Sequence, residues 1–181
     1  MAASLKDADP IHKVSIISRG QAGGYTLKLP IEERRIKAKS QFLAELAVLF
    51  GGYASESIVL KDISTGAASD LKQATDLAKS LVTRYGMSEK LEPRTFGETE
   101  EMIFLGREIT TGKDYSEELA AKIDKEVSVL ISRALKAAKR IISSQKKALE
   151  ALAKTLLQKE SIEQEEFQRI IKDFKIKPLK A

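Results

Sequence analysis

One carboxylate and one imidazole are the side chains of this chain whose setting first raises a question of chemistry. The carboxylate is Asp70, inside the run Ser64-Thr65-Gly66-Ala67-Ala68-Ser69-Asp70-Leu71-Lys72-Gln73-Ala74-Thr75. The Ser/Thr/Gly stretch supplies capping oxygens. An acid in a first helical turn meets unpaired backbone N–H groups and the positive end of the macrodipole. On its local setting alone, Asp70 is an acid at a helix start. The imidazole is His12, the single histidine, which opens a predicted strand and reads as a structural residue there. With no Cys in the chain, disulfides and thiolate metal sites are excluded. Residues 86–114 contain no nucleophile–base pair, no phosphate-cradling glycine loop and no Walker motif, so ATP binding has no location in this chain.

The elements that must position these residues are mainly helical. Val14-Ser15-Ile16-Ile17 and Tyr25-Thr26-Leu27-Lys28-Leu29 flank the glycine-rich Arg19–Gly24 turn and predict a small antiparallel hairpin, stopped by Pro30. From about Glu32 the period becomes helical, with Phe42, Leu43, Leu46, Leu49 and Phe50 on one stripe. Gly51-Gly52 interrupts that stripe, and a short helix or turn through Ala54 and Ile58 follows. Leu71, Ala74, Ala78, Leu81, Val82 and Tyr85 mark the next helix, which starts at Asp70 and ends near Gly86. Thr95-Phe96 and Met102-Ile103-Phe104-Leu105 are expected either to pair as a minor hairpin or to pin the irregular segment 87–114. Ser116 is placed to cap a long amphipathic helix carrying Leu119, Ile123, Val127, Leu130, Ala134, Ala138 and Ile141. Leu149, Leu152, Leu156 and Leu157 form a further stripe, and Ser161-Ile162-Glu163-Gln164 reads as a capping box opening a last helix. The tail beyond Phe174 is expected to fray.

Composition agrees with one compact core: 181 residues, 43% hydrophobic and 31% charged, rich in Ala, Leu, Lys and Glu. No apolar run is long enough to span a bilayer, and the first residues lack the cationic start and apolar stretch of a signal peptide. The net charge of +5 lies entirely in residues 115–181, where fifteen Lys/Arg face ten Asp/Glu. No aromatic residues interleave with those cations, so the excess reads as solvated helix faces, and no nucleic-acid partner is expected.

Six segments, in order, resemble the FtsH-type membrane-bound ATP-dependent zinc metalloproteases. They are Asp9–Gly20, Leu46–Glu56 with its Gly51-Gly52-Tyr53-Ala54-Ser55-Glu56 run, the Asp70 segment, Tyr85-Gly86-Met87-Ser88-Glu89-Lys90-Leu91, Phe104–Ile109, and Tyr115–Glu118 with Ile123-Asp124. The resemblance runs to about Phe167. It implies a mainly α peptidase domain with a small N-terminal β-hairpin or sheet, following an AAA module and membrane anchors that lie outside this chain. As domain bounds it implies 1–175 for the peptidase-like domain (1–30 β element, 31–86 metal-site helices, 87–114 loop, 115–175 helical bundle) and 176–181 for a tail.

The same resemblance implies function. Asp70 matches the aspartate that gives the family its third zinc ligand, the other two being histidines of a His-Glu-x-x-His helix. Zinc with three protein ligands and an open water position makes a hydrolytic site, with the motif's glutamate as general base. That helix should end a few residues before Asp9, with its second histidine just before Met1. Met1 therefore reads as an internal methionine or a boundary within a longer protein, and this chain alone is expected to be inactive and without tight zinc binding. His12 matches a family segment without a ligand. Glu56 is expected either to orient a ligand histidine or to be an exposed helix acid. Gly23 to Leu27, above all Gly24, Tyr25 and Thr26, match the edge strand that holds extended substrate. Tyr53 replaces the family arginine, and Ser69 its usual asparagine. The implied whole is a homo-hexamer degrading protein substrates, with Zn2+ in the intact protein and ATP through the absent AAA module. Its place would be the cytoplasmic face of the bacterial inner membrane or an organelle equivalent. The alternative is a non-catalytic helical assembly or binding module of the same family.

Overall fold

A computed structural model describes residues 1–18, 23–29, 36–97, 103–104, 107–108 and 115–179. The chain is mainly helical, with a small antiparallel sheet near its start. A 3-10 turn at Ala2–Ser4 leads to strand β1 (Ile11–Ser15), which pairs antiparallel with β2 (Tyr25–Lys28). The predicted hairpin therefore forms, shifted toward Ile11. Residues 19–22 of its turn, the strand stop at Pro30 and the helix onset near Glu32 lie outside the described residues.

Helix α1 (Lys39–Leu49) opens with the Gln41 side-chain carbonyl accepting from the Ala38 N–H at 2.9 Å. Gly51-Gly52 does not end the helical path. Phe50 stays right-handed helical, α2 (Gly51–Ser55) continues it, and a π-helical turn follows at Glu56–Leu60. The result is a 47° bend between Lys39–Leu49 and Gly51–Leu60, since glycines loosen the helix without forcing it to stop. Lys61 then reverses the chain in the left-handed region, and a 3-10 turn at Thr65–Ala67 leads into α3 (Ala68–Thr83). Helix α3 ends where expected, with Gly86 at φ +59, a conformation that costs glycine little.

Helices α1 and α3 pack on α4 (Glu117–Ser144), whose Ser116 hydroxyl accepts from the Leu119 N–H at 3.3 Å. The contact faces are built from small residues: Ala44, Ala47, Ala74, Ala78 and Ala138 are fully buried. Between α3 and α4, residues 87–97 are irregular yet tied down. Phe96 is buried, Met87 and Leu91 pack against the core, and the Phe96 N–H donates to the Thr83 carbonyl at 2.8 Å. Phe96 does not enter a hairpin. The two-stranded pair is β3 (Ile103–Phe104) with β4 (Arg107–Glu108), while Met102 and Leu105 lie outside the described residues.

After α4 come α5 (Lys146–Lys159), β5 (Ser161–Glu163) and α6 (Gln164–Asp173). Strand β5 corrects the capping-box expectation. Ser161, Ile162 and Glu163 pair with Ser15, Val14 and Lys13, giving the order β2-β1-β5, and α6 starts after Glu163 without a side-chain cap. Ile162 is fully buried in a second core with Ala2, Ile11 and Phe167, and that burial outweighs local capping chemistry. Leu157, assigned to the α5 stripe, is 78% exposed. The tail is not wholly frayed: the Lys6 N–H donates to the Leu179 carbonyl and the Leu179 N–H to the Ser4 carbonyl, each at 2.9 Å. Among the described residues no single helix is long and apolar enough to cross a membrane.

Two measurements probe this arrangement. Ile162→Ala empties the centre of the second core, and denaturant titration is expected to show a loss of about 2–5 kcal/mol. Glu89 bridges Arg133 at 3.0 Å and Lys39 at 3.5 Å. The Arg133 hydrogen bond, then the charges of Arg133 and Lys39, hold its carboxyl below the usual carboxylate range. A carboxyl depressed in the folded state stabilises fully above its unfolded pKa, and that stabilisation is lost as pH falls through the folded pKa. Urea midpoints measured below about pH 4.5 are therefore expected to fall less steeply in Glu89→Gln than in the parent.

Candidate metal-site groove

Asp70 sits in the first turn of α3 and lines a groove of about 650 Å3. The groove also takes in Gly24, Tyr25 and Thr26 from the sheet, and Gly52 and Ser55 from α2. The chain thus brings the sequence-predicted acid and the predicted strand residues to one cavity, although they lie more than forty positions apart. Strand β2 is an edge of the sheet, so the strand expected to receive extended peptide borders the space that Asp70 borders.

Two glycines of α2 shape this space. A Cβ on Gly52 would lie 4.0 Å from Asp70 Oδ2, so the absence of a side chain leaves the carboxylate uncovered on that flank. A Cβ on Gly51 would stand 2.7 Å from Met1 Cγ, so Met1 rests directly on the α2 backbone. The Met1 α-amine lies inside the same region, and burial pushes its pKa below the ordinary value. Gly24 serves a different close approach. A Cβ there would lie 2.6 Å from the Ser15 carbonyl oxygen.

The capping chemistry expected around Asp70 is divided between two turns. Ser64 Oγ accepts from the Gly66 N–H at 3.0 Å and so caps the 3-10 turn, whereas α3 itself, preceded by Ala67 at its N-cap, has no side-chain cap. Ser69 Oγ accepts from Gln73 Nε2 at 3.3 Å. Glu56 does not line the groove. Its carboxylate accepts from the Ser64 N–H through Oε2 and from the Ser64 hydroxyl through Oε1, both at 2.8 Å. That bond spans eight residues across the Lys61 reversal, and nothing in the local sequence pattern announces it.

His12 stands on β1 beside a separate depression lined by Leu27, Leu29 and Glu163. It shares no site with Asp70. Among the described residues no group of three His, Cys, Asp or Glu side chains could hold a metal ion. Zinc in a protein site needs about three such donors. Among the described residues lining the groove Asp70 is the single such donor, so these residues by themselves do not fit zinc.

Comparison with known proteins extends this geometry. Residues 1–170 match the family model described as Peptidase family M41. The chain is 47% identical over 167 residues to the ATP-dependent zinc metalloprotease FtsH of Caldicellulosiruptor bescii, covering 92% of this chain and 27% of that protein. It is 46% identical over 178 residues to ATP-dependent zinc metalloprotease FtsH 1 of Sphaerobacter thermophilus, covering 98% of this chain and 27% of that protein. With FtsH of Magnetococcus marinus the identity is 44% over 184 residues, covering 99% and 27%. The chain spans about a quarter of the length of the curated relatives it matches.

The contact at Gly24 makes a direct test of the groove wall. Gly24→Ala must push β1 and β2 apart against backbone atoms, with an expected cost of roughly 1–3 kcal/mol in thermal or urea unfolding.

Proposed function

The chain belongs to peptidase family M41, and on that premise we propose that it is the proteolytic part of an ATP-dependent zinc metalloendopeptidase, with Asp70 as the carboxylate it contributes to the metal. The observation that carries the reading is the placement of Asp70, uncovered by Gly52, at a groove shared with the edge strand β2. An aspartate whose only task was to favour a helix start needs no such opening. The remaining donors would come from a His-Glu-x-x-His helix, and Met1, Gly51 and Gly52 line the groove that Asp70 borders.

In this reading the residues of the chain have distinct tasks. Asp70 holds one coordination position, and β2 around Gly24, Tyr25 and Thr26 lines up an extended peptide through its main chain. Main-chain pairing reads backbone rather than side chains, which suits an enzyme that takes many protein sequences. The ATP-driven module, the membrane anchors and the hexameric assembly belong to the intact protein. Its place is the cytoplasmic face of a bacterial inner membrane or the organelle equivalent, with quality control and processive degradation of proteins as the work.

The test compares the chain with a form in which a relative's His-Glu-x-x-His helix is joined ahead of Met1. The chain alone is expected to bind zinc only weakly in titration calorimetry and to leave casein intact. The joined form is expected to bind zinc tightly, and Asp70→Asn is expected to remove most of that affinity. Chelator-sensitive casein cleavage by the chain alone would overturn the reading, as would an Asp70→Asn joined form that binds zinc like its parent.

A further inference from the structure

Helix α6 does not simply stop at Asp173. The Lys175 N–H donates to the Lys172 carbonyl at 2.9 Å and the Ile176 N–H to the Ile171 carbonyl at 3.4 Å, with Lys175 left-handed at φ 51. This is the pairing of a Schellman turn, which closes a helix and redirects the chain. Ile171 and Ile176, the apolar pair that such a turn brings together, both line the groove. Pro178 favours an extended course beyond it, by fixing its own φ and biasing Lys177 away from helix. Leu179 is thereby carried to the start of the chain. Its N–H donates to the Ser4 carbonyl and its carbonyl accepts from the Lys6 N–H, each at 2.9 Å, in a parallel bridge opposite Leu5.

What Leu179 grips is a wall of the groove. Met1, Ala2, Ala3 and Ser4 line the same cavity as Gly24 and Tyr25. The turn Ala2–Ser4 has three residues and no side-chain cap, and a single 3-10 turn holds itself weakly. Ser4 is buried, and a buried backbone carbonyl left without a partner is costly. Leu179 supplies that partner. We propose that segment 174–179 is a strap that pins the turn Ala2–Ser4 into the groove, so that release of the strap opens the groove beside β2. Leu179 is itself 48% exposed, so the hold comes from its main chain rather than its side chain. Lys175 makes the strap releasable, because a lysine in the left-handed region carries a cost that glycine does not. The bearing of the strap on peptide access rests on the reading of β2 as the strand that takes extended peptide.

The chain has no cysteine, so a thiol introduced by Ala2→Cys, at a position 7% exposed, reports release of the turn through its rate of alkylation by iodoacetamide. Leu179→Pro and Lys6→Pro each delete one N–H of the pairing. Leu5, at φ −124 and ψ 126, already has the backbone that a residue before proline adopts. In either variant, alkylation is expected to rise about tenfold. The two together are expected to match either alone, because one linkage is broken in each. Lys175→Gly is expected to slow alkylation about threefold. A thiol placed by Ala134→Cys in a separate chain, 6% exposed within α4, is expected to keep its parent rate throughout. In the chain without either thiol, amide exchange at Ser4 and Leu5 is expected to rise by about the same tenfold with each proline. Unchanged rates at the Ala2→Cys thiol and the Ser4 amide in both proline variants would overturn the strap. An equal rise at Ala134→Cys, or a faster rate with Lys175→Gly, would do the same. None of these readouts involves zinc or proteolysis, so failure of the strap and failure of the peptidase reading are told apart.

Discussion

The main helical core of this chain is built on the buried face of α4. The helix runs from Glu117 to Ser144, about 42 Å at 1.5 Å per residue, and its buried side chains recur from Ile123 to Ile142. Helices α1 and α3 approach it through alanines without solvent exposure, and small contact residues allow helix axes to come close. Close approach leaves little play, so the helix carrying Asp70 is fixed in axis and depth by side chains that have no chemistry of their own. The far end of the same face, at Ile141, receives Leu5, Ala44 and Ala47, which holds the first residues of the chain beside the groove. One helix face thus sets both the acid and the cavity it looks into.

The helical half of this organisation is legible in the sequence because its causes are local. The three- and four-residue spacing of Leu71, Ala74, Ala78 and Leu81, or of Ile123, Val127 and Leu130, survives translation into structure, as does the Ser116 cap. Strand β5 is not legible. Three residues are too few for a period, and Ser161 to Gln164 carries the chemistry of a helix start. What makes it a strand is β1, some 146 positions away, together with the burial of Ile162. At the groove the same division holds. The place of Asp70 in the first turn of a helix is readable from the local sequence, whereas the grip of Glu56 on Ser64 arises only after Lys61 has turned the chain back at φ 57. A lysine in the left-handed region is not a turn residue that sequence reasoning would choose.

The charge distribution fits this picture. Several cations of residues 115–181 pair with nearby acids on the surface, as Lys122 does with Glu118 and Lys159 with Glu166. Among the described residues the interior keeps one acid, Glu126, buried and satisfied by the Ser88 hydroxyl at 2.7 Å. Ser88 also accepts from the Lys90 and Leu91 N–H groups. Beside it, Glu89 reaches Lys39 and Arg133, so consecutive residues of one loop fasten α1 and α4. Exposed pairs of this kind contribute little each, but here they set the course of residues 87–97 between α3 and α4.

The order of the sheet, β2-β1-β5, has a consequence in time rather than in space. Strand β1 can meet β2 as soon as Lys28 has been made, but its other edge waits for Ser161, Ile162 and Glu163. At ribosomal speeds of roughly 5–20 residues per second, that wait lasts on the order of ten seconds. Until then one edge of the central strand stands open, and Val14 lacks its partner Ile162. The nascent chain therefore carries a half-built sheet while the residues between Lys28 and Ser161 are made, and the groove wall that β2 provides becomes firm only once β5 has joined β1.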